Sequence, residues 1–156
     1  MTMAPPKNIG VILFPGFQLL DITGPLDVLN ILSNDHPLHL SILAATLDPV
    51  STKHALQDSR ISNFGESIVP THTFETAPQD LEVLILPGGF GSRKEENIDG
   101  VIEFLKGYAG NLRYLLTVCT GSAILAKTGL LDGKKATSNK KAFSWVRIFL
   151  FNLLFF

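Results

Sequence analysis

The residues best placed for chemistry lie in Leu115-Leu116-Thr117-Val118-Cys119-Thr120-Gly121-Ser122-Ala123. An apolar, β-branched run stops at the chain's only cysteine, and small residues lead at once into Ile124-Leu125-Ala126-Lys127, which reads as helix. Strand, sharp turn and helix place one side chain at the tip of a parallel strand, the device that presents serine in nucleophile elbows. A thiol there is a candidate nucleophile, because the helix end offers unpaired N–H groups and partial positive charge to a thiolate. Gly121 allows backbone and ligand to approach closely. A lone cysteine is as readily a small buried hydrophobe, so what matters is which other groups reach the same place.

Asp21 is one such group. It sits in an apolar cluster over residues 17–29, just past the first apolar run. Residue type by itself makes it a surface carboxylate, but a position after a strand makes it a candidate proton donor. Gly88-Gly89, within Leu86-Pro87-Gly88-Gly89-Phe90-Gly91, is another: a tight turn that presents backbone N–H groups above a sheet. It lacks Gly-Lys-Ser/Thr and is too short for a dinucleotide fingerprint. An attacking thiolate with a carboxyl that moves protons amounts to nucleophilic catalysis with acid–base assistance. A carboxyl facing a thiolate in an apolar pocket tends to keep its proton, since two adjacent anions are costly, and the two titrate as a unit. His36, His39, His54 and His72 show neither the i, i+4 pair nor the Cys/His spacing of a metal site. Neither metal nor cofactor is expected.

Positioning these groups requires a sheet. Ile9-Gly10-Val11-Ile12-Leu13-Phe14 is apolar on both faces and ends at Pro15-Gly16, as a buried parallel strand would. Leu19, Ile22, Leu26 and Leu29 follow at helical spacing. Gly24-Pro25 is expected to split them into a short turn near residues 19–22 and a second helix from about Pro25. Residues 39–45 read as a second strand, 48–66 as a polar excursion with one or two short hairpin strands, and 67–74 as another extended piece. A third core strand over 81–86 precedes a helix through Ile98, Val101, Ile102 and Leu105 that ends at Gly107 or Gly110. Beyond the elbow come a turn at 129–133, a short strand at 135–138 and a helix start over 140–146. Strands alternating with helices predict a parallel α/β sandwich. The turns at Pro15-Gly16, Gly88-Gly89 and Cys119 all follow strands, so all lie at the carboxyl edge, where ligand crevices form in open sheets. That convergence favours a functional Cys119.

With 156 residues, 46% hydrophobic and 17% charged, the chain is one globular domain able to bury a core. Thirteen basic against fourteen acidic residues create no field for nucleic acid, and Lys134, Lys135, Lys140 and Lys141 read as a solvated face. One cysteine cannot form an internal disulfide, and residues 1–8 lack the apolar core of a secretory signal, so a cytoplasmic setting is expected. From Ile148 to the end, eight of nine residues are apolar. That tail has no polar face or alternation and falls short of the roughly 20 residues of a membrane span. It must be covered by the core, by a second copy in a homodimer, or by aggregation.

Phe14-Pro15-Gly16-Phe17, Leu20-Asp21-Ile22-Thr23-Gly24-Pro25, Leu86-Pro87-Gly88-Gly89, Val118-Cys119-Thr120-Gly121-Ser122 and Gly129-Leu130-Leu131-Asp132-Gly133-Lys134-Lys135-Ala136-Thr137 together resemble the ThiJ/PfpI family of the class I glutamine-amidotransferase-like superfamily, over about residues 9–145. The resemblance implies a flavodoxin-like three-layer α/β sandwich with a mainly parallel sheet. Asp-Ile-Thr-Gly-Pro joined to Val-Cys-Thr-Gly looks most like the isonitrile hydratase branch, which adds water to an isocyanide carbon to give an N-substituted formamide. It implies Cys119 as nucleophile, Asp21 as the carboxylate and Thr120 as an assisting hydroxyl. Gly88, Gly89 and Gly121 would border a small-molecule substrate, with the Gly89 and Thr120 N–H groups as oxyanion-type donors.

Two departures stand out. Where many relatives carry a histidine after the Ala-Thr of the post-elbow strand, this chain has Ser138-Asn139, and asparagine cannot serve as a base. The family also continues past residue 146 through further strands and a last helix. The expectation is therefore an incomplete ThiJ/PfpI-like domain over 1–146, a poorly soluble truncated product, and an atypical tail over 147–156. Other readings of the same residues are α-oxoaldehyde conversion, a thiolate redox sensor, a ligand-binding domain of the kind fused to DNA-binding helices, and an inactive product.

Overall fold

The structure, a computed structural model, describes residues 4–55, 57, 58, 60–149, 154 and 155. In chain order the elements are β1 (Asn8–Ile12), α1 (Leu19–Leu32), β2 (His39–Ala44), β3 (Val50–Ser51), β4 (Ser67–Ile68), β5 (His72–Thr73) and β6 (Val83–Leu86), then α2 (Glu95–Tyr108), β7 (Tyr114–Thr117), α3 (Gly121–Lys127), β8 (Lys135–Ala136), α4 (Phe143–Val146) and β9 (Leu154–Phe155). Five strands form one sheet in the order β5-β2-β1-β6-β7, and every pairing in it is parallel. This is the parallel α/β arrangement expected from the alternation of strands and helices, and the flavodoxin-like sandwich that the resemblance implies.

The apolar runs explain the centre of the sheet. All four residues of β6 are buried, as are Ile9, Val11 and Ile12 of β1, because helices cover both faces of a parallel sheet. On α2, Ile98, Val101, Leu105 and Tyr108 are buried at the 3–4 residue spacing of one helical face. α2 packs on α3, and Ile124 of α3 reaches the same core. β7 is an edge strand, with Tyr114 and Leu116 about half exposed, so the strand that delivers Cys119 is less buried than its sequence suggests.

The expected break at Gly24-Pro25 is not there. α1 is one 14-residue helix with Pro25 inside it. Pro25 removes the single N–H that would reach the Asp21 carbonyl, and an interior proline costs about 3 kcal/mol. One unbroken helix keeps Ile22 buried and Leu19, Leu26 and Leu29 partly buried against the core; full burial of such a side chain contributes roughly 1.5–3 kcal/mol and partial burial a share of that. The combined burial outweighs one missing bond.

The polar excursion holds an antiparallel pair, Val50 with Ile68 and Ser51 with Ser67. Gly16 N–H donates to the Ser51 carbonyl at 2.8 Å, tying the excursion to the turn after β1. Part of the tail finds cover inside the protein: Phe149 packs against the cluster of Ala123, Ala126, Ala142 and Val146, edge-on to Trp145. β9 pairs with β8, whereas residues 150–153 and 156, where the rest of the expected tail falls, lie outside the described residues. Among the described residues no helix is long and apolar enough to cross a membrane.

Glu82 clasps the amino edge of the sheet. Its carboxylate accepts from the Lys7 N–H at 2.6 Å, from Arg113 Nη1 at 2.7 Å and from the Asn8 N–H at 3.3 Å. The Lys7 amide foremost, then the Arg113 guanidinium and the Asn8 amide, hold it down from 4.5 to about 2. A depressed carboxyl stabilises the fold above its unfolded value and loses that contribution as pH falls through the folded one. Thermal unfolding between pH 4.5 and 2 should therefore show a steep stability loss that Glu82→Gln flattens.

Candidate active site

The sheet order changes direction at β1, which runs between β2 on one side and β6 on the other. Crevices open at such switch points, outside the carboxyl ends of the strands. The turns after β1, β6 and β7 meet there. Gln18 N–H donates to the Gly88 carbonyl at 2.8 Å and Gly91 N–H to the Gly16 carbonyl at 3.0 Å, locking the first two turns together. Val118 N–H bonds the Leu86 carbonyl at 3.0 Å, bringing the third alongside.

Cys119 has φ +55°, the one left-handed non-glycine among the described residues. That region costs a residue with a Cβ roughly 1–2 kcal/mol, and such strain gathers where a side chain is forced into a functional position. The bend turns the chain from β7 into α3, which starts two residues later, and leaves the thiol half-buried. Asp21, in the first turn of α1, points back at the same spot. Its Oδ2 accepts from the Gly88 N–H at 3.0 Å, and its carboxyl contacts the Cys119 side chain. Burial raises its pKa above the ordinary carboxylate value, and the Gly88 amide and the Cys119 contact only partly offset that.

The double glycine lies directly on the elbow. A Cβ on Gly88 would come within 2.5 Å of the Thr120 nitrogen and 3.0 Å of the Cys119 Cβ, and one on Gly121 would run into the Leu86 carbonyl oxygen. Only glycine permits this approach of the two turns. The amides do not all point as expected. The Gly89 N–H, expected to face an oxyanion, donates to Thr120 Oγ1 at 3.0 Å, and the Gly88 N–H is taken by Asp21. Thr120 is buried, and its hydroxyl also lies 3.5 Å from that of Ser92, which in turn bonds the Gly89 carbonyl at 2.7 Å. The Thr120 hydroxyl therefore braces the turn from inside. Its N–H finds no acceptor among the described residues.

Sequence reasoning passed over Asn139 as a missing histidine. Here its Nδ2 donates to Cys119 Sγ at 3.3 Å while its Oδ1 accepts from the Ala142 N–H at 3.1 Å. The clue was its type: asparagine is a favoured N-cap, and it caps the short helix Lys140–Ala142. The four histidines contribute nothing to this cluster; His54 lies tilted against Phe90 instead, with ring centroids 4.8 Å apart. Among the described residues no group of three or more His, Cys, Asp or Glu could hold a metal ion.

Comparison with known proteins follows the same lines. The chain is 40% identical over 132 residues to isonitrile hydratase of Pseudomonas putida, covering 85% of this chain and 52% of that protein. It is 30% identical to an uncharacterised Streptomyces lividans protein, over 87% of this chain and 89% of that one. Its structure resembles the crystal structure of a ThiJ/PfpI family protein from Pseudomonas syringae, with a TM-score of 0.71 and 32% identity, over 93% of this chain and 55% of that chain. The chain thus spans about half the length of the hydratase and of the P. syringae protein. The DJ-1/PfpI family model matches residues 7–147, and the chain belongs to that family, which is the ThiJ/PfpI family of the motifs.

Proposed function

We propose that this protein adds water to the terminal carbon of a small isocyanide, giving an N-substituted formamide. The observation that carries the proposal is the Asp21 carboxyl set against Cys119, its Oδ2 held by the N–H of Gly88, which lies directly on the elbow, with the Asn139 amide on the sulfur and no histidine in the cluster among the described residues. One proton shared by sulfur and carboxyl is what the reaction needs. The Cys119 thiolate bonds to the isocyanide carbon while Asp21 gives its proton to that same carbon, leaving a thioimidate, S–CH=N–R, and an Asp21 carboxylate. The carboxylate then takes a proton from water as the water oxygen attacks the thioimidate carbon, and passes it to the nitrogen. In the resulting S–CH(OH)–NH–R adduct the C–S bond breaks, the hydroxyl proton returns to Asp21, and R–NH–CHO leaves. The Thr120 N–H, without an acceptor among the described residues, would be a donor for the developing charge. The similarity to isonitrile hydratase supports the same chemistry.

In this reading residues 1–146 are the ThiJ/PfpI-like domain that carries the site residues, and 147–156 are an atypical apolar tail. The test is incubation of the full chain with a small alkyl isocyanide, following the formyl proton of the formamide by NMR. Turnover that stops when Cys119 is alkylated is the expected result. A protein whose Cys119 alkylates readily but yields no formamide would overturn it.

A further inference from the structure

We propose that Asn139 is a working member of the site, holding the Cys119 sulfur with a fixed amide N–H and leaving Asp21 as the only group among the described residues that can exchange a proton with it. The proposal deepens the reading of Cys119 as nucleophile and rests on it.

An asparagine side chain can turn either end of its amide toward a neighbour, so its partners decide the orientation. Oδ1 receives the Ala142 N–H at 3.1 Å, and an N–H donor can face only the oxygen. Nδ2 is therefore the end at 3.3 Å from Sγ, and it donates. The loop that carries Asn139 is tied to the elbow as well. The Ser122 and Ser138 hydroxyls meet at 2.8 Å, and both lie against the Cys119 carbonyl oxygen, at 3.3 and 3.4 Å. The amide is thus held from two sides, by its cap and by the serine pair, and loses little freedom in meeting the sulfur.

An amide N–H stabilises a thiolate more than a thiol, because hydrogen bonds to an ionised acceptor are the stronger kind. It cannot take the proton the thiol gives up. Asp21 from α1 is the titratable side chain in contact with the sulfur. The neighbouring elements add Arg93 and Lys94 beyond the double glycine, Lys127 at the far end of α3, and exposed Lys140 and Lys141 after Asn139. A histidine at position 139 would add a second proton acceptor, and this chain does without one.

The test is the rate of Cys119 alkylation by iodoacetamide as a function of pH, with the full chain, for the parent, Asn139→Ser and Asn139→Asp. Asn139→Ser keeps a neutral capping oxygen for the Ala142 N–H and removes the amide that donates to sulfur. Its alkylation at neutral pH should fall about 10-fold or more, the effect of losing a hydrogen bond to a charged group, and its profile should move to higher pH. Asn139→Asp also keeps a capping oxygen but adds a carboxylate beside the sulfur, so its profile should move further the same way. A role limited to capping would leave the Asn139→Ser profile where the parent's lies, and that result overturns the proposal. If Asn139→Ser fails to fold, an unmoved Asn139→Asp profile overturns it equally, because it places position 139 away from the sulfur. Displaced profiles in a protein with no isocyanide turnover would sink the hydratase reading and leave this inference standing. Turnover with an undisplaced Asn139→Ser profile would do the reverse.

Discussion

Cys119→Ala is expected to reduce isocyanide hydration to the uncatalysed level, a fall on the order of 10⁶-fold, the lower end of ordinary enzymatic acceleration. The proposed covalent step has no substitute once the sulfur is gone, because Thr120 is buried with its hydroxyl turned to the Gly89 amide. Cys119→Ser should fall nearly as far. A serine hydroxyl needs a base to become a nucleophile, and the neighbour at position 139 is an amide. Folding should survive both changes, since the thiol is half-buried and each replacement keeps a Cβ at the same strained turn. The check is formamide production by NMR together with thermal unfolding. Either variant retaining a tenth of the parent's rate would remove Cys119 from the mechanism.

Asp21→Asn should reduce turnover on the order of 10²–10⁴-fold, the usual contribution of a positioned acid–base group. Asparagine can still accept the Gly88 N–H now held by Oδ2, so geometry is kept and the transferable proton is lost. Stability should respond in the opposite sense. The folded pKa of Asp21 is raised by burial, so folding favours its neutral form. Its contribution to stability is fully present below the unfolded value of 3.8 and is lost as pH rises through the higher folded value. The variant has no such dependence and should gain on the parent in melting temperature as pH rises from 3.8. Paired unfolding curves at acidic and neutral pH read the difference directly. A variant that loses turnover and also becomes less stable than the parent at neutral pH would mark Asp21 as a structural carboxylate.

Much of this molecule is written locally. The apolar runs that become β1 and β6 are legible because burial on both faces leaves no room for polar alternation. The small residues around Cys119 mark an elbow because a strand must turn into a helix across three residues, and Gly121 is there because the Leu86 carbonyl occupies the space of a Cβ. Asp21, Gly88, Gly89 and Cys119 could be singled out by type and by their place after strands, and the structure brings them together at the switch point. What local sequence could not decide is where competing partners lie in three dimensions. Gly24-Pro25 signals a break, yet α1 continues because core burial along one face outweighs a single missing bond. Gly89 and Thr120 carry donors in the right neighbourhood, but their directions depend on each other: the Thr120 hydroxyl takes the Gly89 N–H, and the Thr120 N–H has no acceptor among the described residues. Asn139 looks in sequence like the absence of a base. It becomes a donor to sulfur only when the Ala142 N–H claims its oxygen, because a hydrogen bond's direction is set by both partners, and one of them lies twenty residues away.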